Sequence, residues 1–169
     1  MIKVAMQSVV PIASEPAEVL SRLNRILTPE LHGRLTSAAY VWIDPSRGTA
    51  NYAGAGHPPL LHWKPCTEEL ISIESNGLLF GVTSDAEYPE RQVVITSGDR
   101  LLMFTDGLVE AENAEGEAFG DSKMKGLVRD HRTATAPELS QILLKALRTW
   151  QPPSQAQHDD ITLVIVDVL

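Results

Sequence analysis

Aromatic residues make up only 5% of this 169-residue chain, cysteine occurs once, and no apolar run reaches bilayer length. The lone Cys66 excludes an internal disulfide and fits a reducing compartment. The longest apolar runs, LLMF and ITLVIV, are strand-length, so no transmembrane helix is expected. Basic side chains are also scarce, with 14 Lys and Arg against 22 Asp and Glu, a net charge of −8. No segment concentrates them, which argues against nucleic acid, because neutralising phosphate needs a basic face. MIKVAMQSVVPIA carries one early charge, Lys3, and lacks the apolar core and cleavage site of a signal peptide. A cytoplasmic location is the resulting expectation.

What is present reads as one globular domain over residues 1–169, long enough to bury a core without staples. Residues 2–10 read as a short helix stopped by Pro11. Ser14 is the expected N-cap of a second helix with Pro16 in its first turn. Val19, Leu20, Leu23, Ile26 and Leu27 recur at helical spacing down to Pro29. The period then changes to that of strands. TSAAYVWID and ANYAGAG flank the turn PSRGT, LLHW and ELISI flank KPCTE, and RQVVIT and LLMFT flank SGDR, so three hairpins are expected. Two helices follow, near 121–131 and 136–149, the second with Ala136, Leu139, Ile142, Leu143, Ala146 and Leu147 as its stripe. QPPSQAQ reads as a polar loop, and ITLVIVDVL as a closing strand. Consecutive hairpins with helices grouped at the ends argue for α+β layers with mainly antiparallel sheets.

Chemistry concentrates at two strand ends. In RLLMFTDGLVEAEN, Asp106 and Gly107 stand where an apolar strand must stop, and in HDDITLVIVDVL, Asp159 and Asp160 stand where the last strand starts. If those strands lie antiparallel in one sheet, the carboxylates share an edge although 53 residues (159 − 106) separate them. Clustered carboxylates repel unless a cation or proton intervenes. Oxygen donors without Cys or paired His suit a hard ion, Mg²⁺ or Mn²⁺, and the hydrolysis it supports. Gly107 permits a tight turn whose carbonyl could approach an ion. The plainer reading stands beside this one: Asp-Gly after a strand is an ordinary turn, and an Asp pair before a strand caps a loop.

AGAGHPPLL, GLLFGV, SGDRLLMFTDGLVEAEN, GEAFG and HDDITLVIV, in this order and spacing, resemble the PPM (type 2C) metal-dependent phosphatases, most closely the SpoIIE/RsbU branch. The resemblance implies a sandwich of two antiparallel sheets flanked by helices. It also implies removal of phosphate from phosphoserine or phosphothreonine with two Mn²⁺ or Mg²⁺ ions. Phosphorylated anti-anti-sigma (STAS) proteins of partner-switching pathways are the implied substrates. By motif, Asp106 and Asp159 match metal ligands. Asp160 falls where many members have Asn and is assigned with Gly107 and His158 to the surrounding shell. His57 of AGHPP matches a branch signature without assigned chemistry, and a hydrogen-bonded turn histidine is its plainer reading. The family's upstream acidic motifs, GGDYYD-like and GDVSGHG-like, are not among these 169 residues. The chain is therefore expected to lack the first strands of the fold and to self-associate through an exposed sheet edge. It is also expected to hold at most one weak ion, or to act as a partner-binding module without catalysis.

Overall fold

A computed structural model of the protein describes residues 2–75, 77–152 and 159–169. The opening periodicity becomes helix α1, Ile2–Val9, and helix α2, Pro16–Leu31, joined by a 3-10 turn over Val10–Ile12 that absorbs Pro11. Two details differ from the sequence reading. Ser14 does not cap α2; Glu15 precedes it, and the amide of Ala17 donates to Glu90 Oε2 at 3.2 Å, so a distant carboxylate serves the helix start. Pro29 does not end the helix, because in the last turn its missing N–H forfeits only one bond. The stop comes at His32, which turns left-handed at φ 50° and is followed by Gly33 at φ 80°.

Among the described residues seven strands follow the hairpin logic with one exception. Strands β1 (Ala38–Asp44) and β2 (Thr49–Ala55) pair antiparallel, and β2 pairs in turn with β5 (Glu90–Val94). A second sheet runs β4 (Glu69–Ile73), β3 (Leu60–Lys64), β6 (Arg100–Phe104), β7 (Leu163–Asp167), with β3–β6 and β6–β7 antiparallel. The exception is RQVVIT with LLMFT, which do not form a hairpin. Strand β6 has β3 on one edge and β7 on the other, so no edge remains for β5, which completes the first sheet instead. Helices α3 (Asp121–Asp130) and α4 (Ala136–Trp150) stand within a residue of their expected bounds. The expected loop 151–157 lies largely outside the described residues.

Two compact units divide the chain, and each has its own core. The first comprises Met1–Pro59 and Ile73–Thr96. Its core joins Val19, Leu20 and Leu23 of α2 to Ala53 and Ala55 of β2, with Phe80 and Tyr88 from the following loop. Buried Asn24 ties α2 to that loop: its Nδ2 donates to Thr83 O at 2.7 Å, and its Oδ1 accepts from Gly81 N at 3.1 Å.

The second unit comprises Leu60–Ser72 and Ser97–Leu169. Leu139, Leu143 and Leu147, spaced by four, lay one face of α4 against Leu61, Leu102 and Phe104 of the sheet and Met124 and Val128 of α3. Burying such a row stabilises the fold by roughly 1.5–3 kcal/mol per side chain. Thr135 and Glu138 form a capping box at the start of α4. The buried side chain of His62 meets Asp99 Oδ2 at 2.8 Å.

Candidate functional site

Strands β6 and β7 place the sequence-predicted carboxylates, and both strands lie in the second unit. Their register pairs Arg100 with Asp167 at one end and Phe104 with Leu163 at the other. Past that end the ladder adds one more bond, Thr105 N to Thr162 O at 3.0 Å. The chain then departs from the strand in a 3-10 turn over Asp106–Leu108. Leu108 is fully buried and fixes this turn to the core, while Asp106 stays exposed. Asp159 and Asp160 are exposed on the facing segment.

Gly107 is where the two segments touch. A Cβ there would lie 2.8 Å from Asp160 O and 3.3 Å from Asp159 O, closer than a side chain tolerates against backbone. Glycine at this position is thus a condition for the approach and not only for the turn. Thr105 closes the contact from the side: its Oγ1 donates to Asp160 O at 2.9 Å and accepts from Thr162 N at 2.9 Å. Each carboxylate is oriented by the amide that follows it. Gly107 N donates to Asp106 Oδ1 at 3.0 Å, and Asp160 N donates to Asp159 Oδ1 at 2.7 Å.

At its far end the ladder is held by charge. Arg100 Nε donates to Asp167 Oδ1 and Arg100 Nη2 to Ala134 O, while Asp167 Oδ2 accepts from Ala136 N at 3.1 Å, the first residue of α4. The β6–β7 pair is therefore clamped at both ends, by an ion pair at one and a threonine at the other. The sequence reading missed Thr105, Arg100 and Asp167. The signal for Arg100 and Asp167 was a charged residue outside each apolar run, R-LLMF and LVIV-D, readable only once the register is known.

The remaining predicted residues fall elsewhere or cannot be placed. His57 belongs to the first unit and is half-buried, with Nδ1 2.9 Å from Pro58 O, next to Gly56 at φ 57°. His158 lies outside the described residues. Asp160 spends its carbonyl on Thr105, which suits shaping the loop.

Oxygen donors on two adjacent turns suit a hard divalent ion, but no group of three or more His, Cys, Asp or Glu gathers among the described residues.

The whole chain, residues 1–169, matches the family described as Stage II sporulation protein E (SpoIIE). It is similar to the phosphoserine phosphatase RsbU of Bacillus subtilis (strain 168), 26% identical over 167 residues, covering 98% of this chain and 49% of RsbU. The chain thus spans about half of that relative's length. Among solved structures it is similar to the SiaA-PP2C domain of Pseudomonas aeruginosa, with a TM-score of 0.83 at 23% identity. That match covers 96% of this chain and 65% of the other. The manganese-presoaked phosphatase domain of SpoIIE from Bacillus subtilis gives a TM-score of 0.65 at 18% identity, over 95% and 73% of the two chains. These likenesses give the fold, the α+β arrangement of two mainly antiparallel sheets expected from the motifs. With all 169 residues matched, the chain belongs to the SpoIIE family, in the SpoIIE/RsbU branch of the PPM-type phosphatases, and has their PP2C-type fold.

Proposed function

We propose that the Asp106 and Asp159 turns form the metal-holding side of a protein serine/threonine phosphatase site with Mn²⁺ or Mg²⁺ as cofactor. The substrate in this reading is phosphoserine or phosphothreonine on a regulatory protein of the STAS type, in a cytoplasmic partner-switching system. One observation carries it: Gly107 packs against the Asp159–Asp160 backbone and so brings two carboxylate turns together at one end of β6–β7. When bound, a hard divalent ion supplies Lewis acidity toward a phosphate oxygen and a water. The chain's own part is to hold two oriented carboxylates on adjoining turns. Thr105 and Gly107 set their separation, and the amides of Gly107 and Asp160 set their direction.

The reading is tested by Mn²⁺-dependent hydrolysis of p-nitrophenyl phosphate and of a phosphoserine STAS protein. The polypeptide used is extended upstream to include the two acidic motifs missing from these residues. Activity lost in both Asp106→Asn and Asp159→Asn is expected; an inactive extended protein, or active variants, would overturn it. For the 169 residues alone, calorimetric titration with Mn²⁺ should give no binding or one weak site that tightens as pH rises, because ligation needs both carboxylates ionised. Two tight sites would contradict this account.

A second reading is that these residues bind the partner without catalysis. Retention of STAS proteins by immobilised protein in the absence of metal is its expected result, and no retention above background removes it. Self-association would use a sheet edge, β1 or β5 in one sheet and β4 or β7 in the other. Sedimentation at rising concentration decides that point. Among the described residues no helix is long and apolar enough to cross a membrane.

A further inference from the structure

We propose that the groove between α3 and α4 docks an acidic amphipathic helix of a partner protein. This surface is independent of whether the chain hydrolyses phosphate. The inner faces of the two helices are spent on the core through Met124, Val128, Leu139, Leu143 and Leu147. Beside it lies an apolar strip that is packed on the core from below and only partly buried. Leu127 of α3 and Ile142, Ala146 and Trp150 of α4 floor an open groove of about 510 Å³, room for several side chains and too large for a single ion.

Charge selects the occupant. Lys123 stands on the α3 side and Lys145 on the α4 side, and among the described residues no carboxylate lines the groove, although the chain as a whole carries −8. An apolar floor flanked by ammonium groups suits a helix with aliphatic residues on one face and carboxylates along its margins. Helix α4 has 15 residues and is roughly 22 Å long at 1.5 Å per residue, so a partner helix of similar length can lie along it. Two lysines on an acidic protein are too few for nucleic acid or an anionic membrane surface.

One end of the groove is held ready. Trp150 Nε1 donates to Glu117 O at 3.1 Å, its ring meets Phe119 edge-on with centroids 6.2 Å apart, and Lys123 lies over both rings. A fixed aromatic anchor lowers the ordering cost of binding. The same segment is bonded back toward the candidate site, Phe119 N to Ala111 O and Gly120 N to Val109 O, so the groove lies at the end of the loop that begins at Asp106.

The probe is a designed amphipathic helical peptide with leucine on one face and glutamate on its flanks, titrated against isotope-labelled protein by NMR. Its counterpart carries lysine in place of glutamate. Saturable shifts of the Trp150 indole and of α3 and α4 are expected with the glutamate peptide alone. Lys145→Glu, at an exposed site, should weaken binding at least about tenfold with an unchanged melting midpoint. The Lys123→Glu/Lys145→Glu variant should accept the lysine peptide instead. Equal binding of both peptides, shifts confined to other surfaces, or tighter binding of single-stranded DNA or anionic vesicles at the groove would overturn the proposal. Self-association of the protein abolished by Lys145→Glu would also overturn it, by making a second copy the occupant.

Discussion

The two units solve the same problem, polar groups inside an apolar core, with different chemistry. The first buries a neutral amide, Asn24, whose oxygen and nitrogen both find partners in the 81–84 loop. The second sets His62 against Asp99 and relies on charge between Arg100 and Asp167. Both bring a carboxylate from a strand to a helix start, Glu90 to Ala17 and Asp167 to Ala136. In the first unit that carboxylate stands alone, whereas in the second it also neutralises an arginine. A satisfied amide keeps a loop in place at modest risk. A buried ion pair is worth little over an apolar substitute, yet losing one partner strands a charge. The carboxylate turns of the candidate site hang from the charged half.

The largest effect should therefore come from Asp167→Ala. It leaves the Arg100 guanidinium, whose side chain is only 9% exposed, with Ala134 O as its partner and Nη1 already unpaired. A loss of about 3–5 kcal/mol in denaturant unfolding is expected. Arg100→Met should be clearly milder, because Asp167, at 32% exposure, stays hydrated and still accepts from Ala136. In the first unit Asn24→Ala should fall between, at about 1–3 kcal/mol, since it orphans Gly81 N and Thr83 O without stranding a charge. If Asn24→Ala proves the worst of the three, the contrast between the units is wrong.

Close backbone approaches sharpen the same contrast. Each unit has a glycine that a methyl would push into a carbonyl: Gly54 against Ser75 O at 2.9 Å, and Gly107 against Asp160 O at 2.8 Å. Backbone cannot rotate away, so alanine at either should destabilise by about 1–3 kcal/mol. Their effects on Mn²⁺ should differ. Where the unsubstituted protein gives the single weak Mn²⁺ site, Gly107→Ala, which separates the two carboxylate turns, should abolish its heat, whereas Gly54→Ala leaves it unchanged. Equal Mn²⁺ titrations for the two variants would detach Gly107 from the site.

What the sequence made legible follows from which signals are local. Apolar periodicity and turn chemistry mark α3, α4 and the first two hairpins. The strand-end position of Asp106 and Asp159 was readable because an Asp beside an apolar run marks where a strand must stop or start. Pairing partners were not local. SGDR looks like a hairpin turn, and only competition for the edges of β6 reveals that β5 joins the other sheet. For the same reason the cap of α2 was missed: Ser14 is near in sequence, but Glu90 comes from 73 residues away. Thr105 was invisible as a clamp because its partners, Asp160 and Thr162, depend on a register no single segment encodes.

Alkaline pH separates the units more gently. All three tyrosines, Tyr40, Tyr52 and Tyr88, lie in the first, and burial raises each above the ordinary phenol range, Tyr52 to about 12. A group whose folded value is raised contributes its full stability below the unfolded value near 10 and loses it as pH climbs through the folded value. Stability should thus decline from about pH 10 toward 12, and Tyr52→Phe should flatten that decline while losing the bond to Pro58 O. An unchanged alkaline slope in Tyr52→Phe would place the loss elsewhere.

The smallest effect expected is a gain, and it lies in the second unit. Gly126 sits in the middle of α3 with ordinary helical backbone, and a Cβ there would meet nothing within 4 Å. Glycine inside a helix forfeits backbone entropy for no packing return, so Gly126→Ala should stabilise by about 0.5–1 kcal/mol. The first unit offers no equivalent, because α2 contains no glycine. The measurement is the denaturant midpoint, expected to rise with an unchanged slope, since no surface is newly buried. Because the added methyl faces open space, peptide binding in the adjacent groove and the Mn²⁺ titration should not move. A fall in midpoint would mean that the methyl is not accommodated on this face of α3, which would make this helix and not β6–β7 the more constrained part of the unit.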